Sequence, residues 1–317
     1  MSDSRTVLVD TDPGLDDALA LILALRSPLL DVRAITVVAG NVPLASCTSN
    51  ALRILEAVGE DPPPPVYEGC SRPLSVPVAR AEHVHGSDGI GGAASRFPVR
   101  RLAPRGEHAV DAMLDLARTV GNDLTVISLG PLTNVATALR KDPDAMGGIR
   151  ELIIMGGSAD GRGNVTRTAE FNFYSDPRAA RAVVRSGLPV LVVGLNVTER
   201  ALLPRARFND EVAEMTREPL RSFLAIATPP YFDFSRKVRN FDGCAMHDPL
   251  AVAVAIQPDL IEADRLVCDV VDTQGLTRGA MLMDRRLDDQ AAPPIRVATA
   301  VDTPRFVDLF LETVCRA

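Results

Sequence analysis

Four aspartates, Asp10, Asp12, Asp16 and Asp17, crowd the stretch VLVDTDPGLDDALAL from Val7 to Leu21, with apolar runs on both sides. Carboxylates this close at the edge of a core repel one another unless a counter-charge sits among them. One reading is local: Asp12-Pro13 as N-cap and first helical residue, Gly14 passing close to a ligand, and acids in the first helical turn. That accounts for one or two acids at about 0.3–1 kcal/mol each and leaves the rest unexplained. The other is a hard divalent cation, since an all-oxygen ligand set selects Ca2+ or Mg2+. The number of carboxylates favours the cation.

Other polar groups recur downstream. GNVTRTAEFN carries Asn164, Glu170 and Asn172, and in an extended segment Glu170 and Asn172 point the same way. On its own this is an ordinary polar loop, and Asn41, after a strand, an ordinary turn residue. His247-Asp248 precedes the apolar run PLAVAVAIQP, where Asp248 reads as an N-cap and His247 as its solvated neighbour. A histidine there could also give a proton to a leaving group, because it titrates near neutrality.

The elements that must position these groups follow from the pattern. TVLVD (6–10), VRAITVVAG (32–40), LTVISLG (124–130), ELIIMGG (151–157) and PVLVVGLNVT (189–198) are apolar on both faces, as strands of a buried parallel sheet are. Between them ALALILAL, CTSNALRILEAVG, AVDAMLDLARTVG, NVATALRKD and PRAARAVVRSG have helical spacing. The alternation predicts an α/β fold, a doubly wound, mainly parallel sheet flanked by helices, with ligands outside the carboxyl ends of the strands. The stretches 61–92 and 158–172 read as long loops. RLVCDVV, GAMLMDRR and PIRVATAVD are β-like, and RFVDLFLETVCRA is a closing helix. The pattern resumes unchanged after the proline run, so residues 1–317 are expected to form one domain.

Bulk composition narrows the function class. The chain has 317 residues, 46% hydrophobic and 24% charged, with a formal net charge of -7. That charge disfavours nucleic acid and anionic membranes and fits an enzyme acting on a small molecule. Five cysteines, without CxxC spacing, read as reduced thiols of a cytoplasmic protein. No signal-peptide pattern opens the chain, and LALILALRSPLL is interrupted by Arg26 and Pro28.

DTDPGLDDALAL resembles the N-terminal signature DxDPGxDDxxAL of the inosine-uridine-preferring nucleoside hydrolases. VAGN (38–41), SLGPLTN (128–134), MGG with GNVTRTAEFNFYSDP (155–177) and MHDPLA (246–251) match further family segments in the same order. The resemblance implies that the chain hydrolyses the N-glycosidic bond of pyrimidine ribonucleosides or inosine, through an oxocarbenium-like transition state that nearby negative charge stabilises. It implies a Ca2+ held by Asp12, Asp17, Asp248 and the backbone carbonyl of Leu129, with Asp10 supporting these ligands. Asp12 is then the general base, needed because calcium acidifies water less than zinc does, and His247 the acid for the leaving base.

Asp16 is matched to the ribose 2′-hydroxyl, and Asn164, Glu170 and Asn172, with Phe171 between the last two, to the sugar's other hydroxyls. Asn41 lies near the substrate and His85 beside the base. The stretch TPPYFDFSRK (228–237) corresponds to a variable loop that closes over the base, with Tyr231 and Phe232 as candidates. His83 and His108 are expected to be surface residues. The purine-only branch stacks the base between tryptophans, and this chain has no Trp. A homo-oligomer, dimer or tetramer, is expected from the family alone. Two rivals have distinct signatures: a haloacid-dehalogenase-type Mg2+ phosphohydrolase with Asp10 as nucleophile, and a non-catalytic nucleoside sensor. The Pro-Gly-x-Asp-Asp continuation counts against the first, and retention of both Asp12 and His247 against the second.

Overall fold

Strand β1 (Arg5–Thr11) faces two cores at once: Val7 and Val9 belong to one apolar cluster and Leu8 to the other. That alternation is what an interior strand covered on both faces requires. The computed structural model describes residues 4–284 and 292–316. After β1 the chain runs through α1 (Leu15–Arg26), β2 (Leu30–Val37), α2 (Leu44–Val58), β3 (Val66–Glu68), α3 (Glu82–His85), α4 (Ala109–Val120) and β4 (Thr125–Ser128). Then come α5 (Thr133–Lys141), α6 (Pro143–Gly147), β5 (Glu151–Met155), α7 (Phe171–Ser175), α8 (Pro177–Val184), β6 (Val190–Val193), α9 (Leu195–Thr198) and β7 (Leu202–Pro204). The chain finishes with α10 (Arg205–Glu214), α11 (Leu220–Arg239), β8 (Gly243–Ala245), α12 (His247–Ile256), β9 (Ile261–Val270), β10 (Met281–Asp284), β11 (Ile295–Val301) and α13 (Thr303–Leu311).

Nine strands form one sheet in the order β10-β9-β11-β6-β5-β4-β1-β2-β3. From β3 to β11 the pairings are parallel, and β9 runs antiparallel to both β11 and β10. The α/β sheet is therefore the predicted one. Its strand order reverses at β1, which pairs with β2 on one side and β4 on the other. A crevice for ligand opens at such a reversal, outside the carboxyl ends.

Helices α1 and α12 pack against one another within one cluster, and their apolar residues are buried all round. An all-apolar helix of this kind is an interior one. Their N-terminal turns carry Asp16 and Asp17 on α1 and His247 and Asp248 on α12, so the packing of two greasy helices brings the acids together.

Several expectations change. The α1 N-cap is Gly14 and not Asp12, and Asp17 closes the cap by accepting from the Gly14 amide at 2.9 Å. The α12 N-cap is Met246, which leaves Asp248 free of that duty. The predicted strand 189–198 stops at Val193, and its NVT ending forms α9, with Gly194 as the N-cap, where a Cβ would lie only 3.0 Å from the Gly157 carbonyl oxygen. The stretch 61–92 is a loop punctuated by β3 and α3, and 158–172 is a loop until α7 begins. TPPYFDFSRK is not a loop: it lies within α11 despite Pro229 and Pro230. Of the predicted strand GAMLMDRR, β10 covers Met281–Asp284, and positions 285 and 286 lie outside the described residues, as does position 317 at the end of the predicted closing helix.

Candidate active site

The β1 end is fastened before any ligand is considered. Asp10 is buried and its Oδ1 accepts from Thr36 Oγ1 at 2.7 Å and Asn134 Nδ2 at 2.8 Å. Leu129, one residue past β4, donates its amide to the Asp10 carbonyl at 2.7 Å. Burial still pushes the Asp10 carboxyl up to about 6.

Asp17 is held by four donors: Thr11 Oγ1 at 2.6 Å, the amides of Asp12 at 3.3 Å and Gly14 at 2.9 Å, and Asn41 Nδ2 at 3.0 Å. Asp12 Oδ2 accepts from the Asn41 amide at 2.6 Å, whereas its buried Oδ1 has no partner among the described residues. Burial and the neighbouring Asp17 carboxylate hold the Asp12 carboxyl well above its usual range. Burial, then the charges of Asp16, Asp17 and Asp12, do the same to Asp248. Asp16 is pushed up to about 6 by burial.

One carboxylate oxygen from each of Asp16, Asp17 and Asp248 lies within 4.8 Å of the other two. This buried trio does not include Asp12, which sits beside it through its amide contact with Asp17. No Lys or Arg lines the cavity among its described residues. Histidines are the basic residues on its described lining, and His85 Nδ1 is 3.8 Å from Asp16 Oδ1. That contact is not an ion pair: the same Nδ1 accepts the Leu15 amide at 3.0 Å and so carries no proton, and burial holds the ring down at about 4. Uncompensated buried carboxylates, all-oxygen donors and an unpartnered Asp12 oxygen together fit a hard divalent cation.

Above this floor opens a cavity of about 430 Å³. Of the predicted residues, Asp16, Asn41, His85, Leu129, Asn164, Glu170, Phe171, Asn172, Tyr231, His247 and Asp248 line it, while Asp10, Asp12 and Asp17 lie beneath. Glu170 and Asn172 do meet there, but not along an extended strand. Glu170 caps α7, accepting from the amides of Gly157, Asn172 and Phe173 at 2.9, 2.7 and 3.0 Å. Burial nonetheless raises its carboxyl to about 7. Asn172 donates to the carbonyls of Leu129 at 2.6 Å and Met155 at 3.1 Å, which fixes the strand ends that frame the cavity.

His247 Nδ1 lies 2.8 Å from Thr198 Oγ1, a buried hydroxyl on α9. Tyr231 stacks on His85 with centroids 6.3 Å apart and donates its hydroxyl to the Ala245 carbonyl at 2.8 Å. Phe232 turns the other way, packing on Phe208 in the core. His108, which caps α4, and His83 are both exposed, as expected of surface residues, and His83 also stands at the cavity against Phe234. Sequence reasoning also missed Thr36, Asn134, Thr198, Phe234, Ser235 and Val238. Asn134 stood in SLGPLTN and could have been found; the α11 residues were hidden by the proline pair.

Comparisons with known proteins agree with this fold. A family model described as inosine-uridine preferring nucleoside hydrolase matches residues 7–308. The chain is 38% identical over 320 residues to a pyrimidine-specific ribonucleoside hydrolase, RihA, of Photobacterium profundum, covering 98% of each. It is 32% identical over 321 residues to a probable uridine nucleosidase of Arabidopsis thaliana, again covering 98% of each. Among solved structures, a plant nucleoside hydrolase superposes with a TM-score of 0.91 at 32% identity over 99% of each chain. A purine-preferring ribonucleoside hydrolase from Gardnerella vaginalis gives 0.90 at 34% identity over 98% of each.

Proposed function

The chain belongs to the inosine-uridine preferring nucleoside hydrolase family, enzymes that hydrolyse ribonucleosides at the N-glycosidic bond, and we propose that it does so with calcium on pyrimidine ribonucleosides or inosine. The observation that carries the metal reading is the buried acid floor with its unpartnered Asp12 oxygen and no cationic side chain among the described lining residues. Asp12, Asp17, Asp248 and the Leu129 carbonyl would hold the ion, and Asp16, whose carboxylate lies within 4.8 Å of those of Asp17 and Asp248, could face either the ion or a ribose hydroxyl. When bound, a hard cation supplies positive charge that anchors neighbouring hydroxyls and acidifies a water beside it.

The remaining steps belong to this chain's own groups. Asp12, whose burial makes it a stronger base than a solvated aspartate, takes the proton of the attacking water. Asp16 accepts from the 2′-hydroxyl, and Asn164, Glu170 and Asn172 hold the rest of the sugar, with Phe171 between them and Asn41 at the side. The crowded carboxylates stabilise positive charge growing on the ribosyl ring as the bond lengthens. His247, oriented by its bond to Thr198, donates a proton to the departing base.

Pyrimidine preference draws on the names of the bacterial and plant relatives and on the absence of Trp; the purine-preferring structural relative points the other way. The family also carries the proposal of a homo-oligomer, dimer or tetramer, and the five dispersed cysteines that of a cytoplasmic protein. No helix among the described residues is long and apolar enough to cross a membrane. The test is release of free base from uridine, cytidine, inosine and adenosine by wild type and Asp12→Asn. Release by wild type and its loss by a factor of about 10² or more in the variant are expected. Full activity in Asp12→Asn sinks the mechanism, and nucleoside binding without release of any base sinks the enzyme.

A further inference from the structure

The loop between β3 and α3 reaches back to the end of β2 and takes hold of the backbone there. Arg80, half-buried on that loop, donates from Nη1 to the Gly40 carbonyl at 3.2 Å and to the Ala79 carbonyl at 3.1 Å. The next residue, Ala81, donates its amide to the Asn41 carbonyl at 3.0 Å. Asn41 is therefore gripped on both sides, at the carbonyl that precedes it and at its own.

What Asn41 holds is the acid floor. Its amide donates to Asp12 Oδ2 at 2.6 Å, and its Nδ2 donates to the Asp12 carbonyl at 3.2 Å and to Asp17 Oδ2 at 3.0 Å. The Gly40 carbonyl and the Asn41 amide are two ends of one planar peptide unit, so fixing the oxygen fixes the direction of the N–H. Glycine by itself leaves that unit a wide choice of angles. A larger residue cannot restrict it, because a Cβ at position 40 would lie 2.0 Å from Asp12 Oδ2. The restriction comes from outside, through Arg80. Its guanidinium is always charged, and a charged donor on the carbonyl polarises the peptide and strengthens the bond made by the amide at the other end.

We propose that Arg80 is a positioning residue for the hydrolysis: its guanidinium locks the Gly40–Asn41 peptide in the orientation that aims the Asn41 amide at Asp12, the carboxylate that takes the proton of water. The proposal rests on the nucleoside hydrolase reading above. Arg80 is not among the residues that line the cavity, so its effect belongs to the chemical step and not to nucleoside binding. A residue that merely fastened its loop would act the other way. Ala81, His83, Val84 and His85 of the same segment do line the cavity, and loosening them would weaken binding of the nucleoside.

The test compares wild type with Arg80→Met, which keeps an apolar stem without donors, and Arg80→Lys, which keeps one charged donor. On the best nucleoside at saturating calcium, Arg80→Met should lower kcat by roughly 5- to 20-fold, the value of a charge-assisted hydrogen bond at a half-buried site, with KM within twofold. Arg80→Lys should recover most of that loss. Calorimetric titration of calcium into chelated Arg80→Met should show binding weakened several-fold, because Asp12 is also a proposed ligand. A kcat within twofold of wild type, a raised KM at unchanged kcat, unaltered calcium affinity, or no recovery in Arg80→Lys overturns the assignment while leaving the hydrolase reading intact. Wild type that releases no base from any nucleoside overturns both.

Discussion

Gly40→Ala tests whether the placement of Asp12 is what makes the site work. A Cβ added at Gly40 would lie 2.0 Å from Asp12 Oδ2, 2.7 Å from its Cγ and 2.9 Å from Pro131 Cδ. An ordinary contact begins near 3.4 Å, so the Asp12 oxygen must retreat by about 1.4 Å. The Asn41 amide bonds that same oxygen at 2.6 Å, and a retreat of this size breaks the bond. Overpacking of this kind costs about 1–3 kcal/mol in stability. The catalytic cost is larger, because a misplacement of about 1 Å at a reacting group lowers rate by a factor of roughly 10². Steady-state kcat/KM on the best nucleoside, with calorimetric titration of calcium into chelated protein, should show both the rate loss and weakened calcium binding. Gly147→Ala is the control, since a Cβ there meets nothing within 4 Å. A Gly40→Ala enzyme within twofold of wild type in rate and calcium affinity refutes the placement of Asp12 in the chemistry.

Two further predictions concern protons. His247→Ala should slow release of uracil by about 10²-fold or more yet barely change hydrolysis of 4-nitrophenyl riboside, whose phenolate departs without an acid; equal losses on both substrates would remove His247 from the leaving-group role. Chelated protein should melt higher at pH 5.5 than at pH 8. Asp10 and Asp16 titrate near 6 and Glu170 near 7 in the fold, all above their unfolded values, so their contribution is full at low pH and lost as pH rises through those values. Over that window the three lose roughly 4 kcal/mol, while His85, held down at about 4, offsets about 1.4 kcal/mol in the other direction. From these four groups alone the net is roughly 2 kcal/mol, about 3 °C in a chain of 317 residues, and Asp12 and Asp248, also raised, act in the same direction. Calcium should raise the melting temperature most at pH 8, and a chelated protein that melts higher at pH 8 than at 5.5 contradicts the argument.

Much of the fold was legible because a strand buried on both faces must be a continuous apolar run, and those runs stood in alternation with helical spacing. Their ends were less clear. Nothing in LVVGLNVT separates β6 from α9, since Val and Thr favour a strand throughout and α9 forms where it packs on β11 and α12. The proline pair at 229–230 misled more seriously. The prolines remove two amides from α11, but Tyr231 packs on His85 and Phe232 on Phe208, both buried, and tertiary packing of that kind outweighs local propensity. Hence the α11 side of the cavity was the illegible part. The acid floor was legible because its residues lie at strand and helix ends that the pattern itself marks; its finer wiring through Thr36, Asn134 and Thr198 joins residues far apart in sequence.

The magnitudes also say why a cation belongs on that floor. Asp16 and Asp17 open α1 and Asp248 opens α12, and a helix N-terminus stabilises a nearby anion by about 0.3–1 kcal/mol, up to about 2 when partly buried. Asp17 adds four donors to that, and Asp16 accepts from the Asp17 amide at 3.3 Å. With those contacts in place, the Asp16 carboxyl still titrates near 6, a residual cost of roughly 3 kcal/mol for holding its charge at neutral pH. Asp12 and Asp248 are displaced in the same direction. Helix termini and hydrogen bonds therefore fall short of neutralising the floor. Protonation would neutralise it too, but a protonated Asp12 is no base, so only a bound cation leaves the floor both stable and reactive at neutral pH.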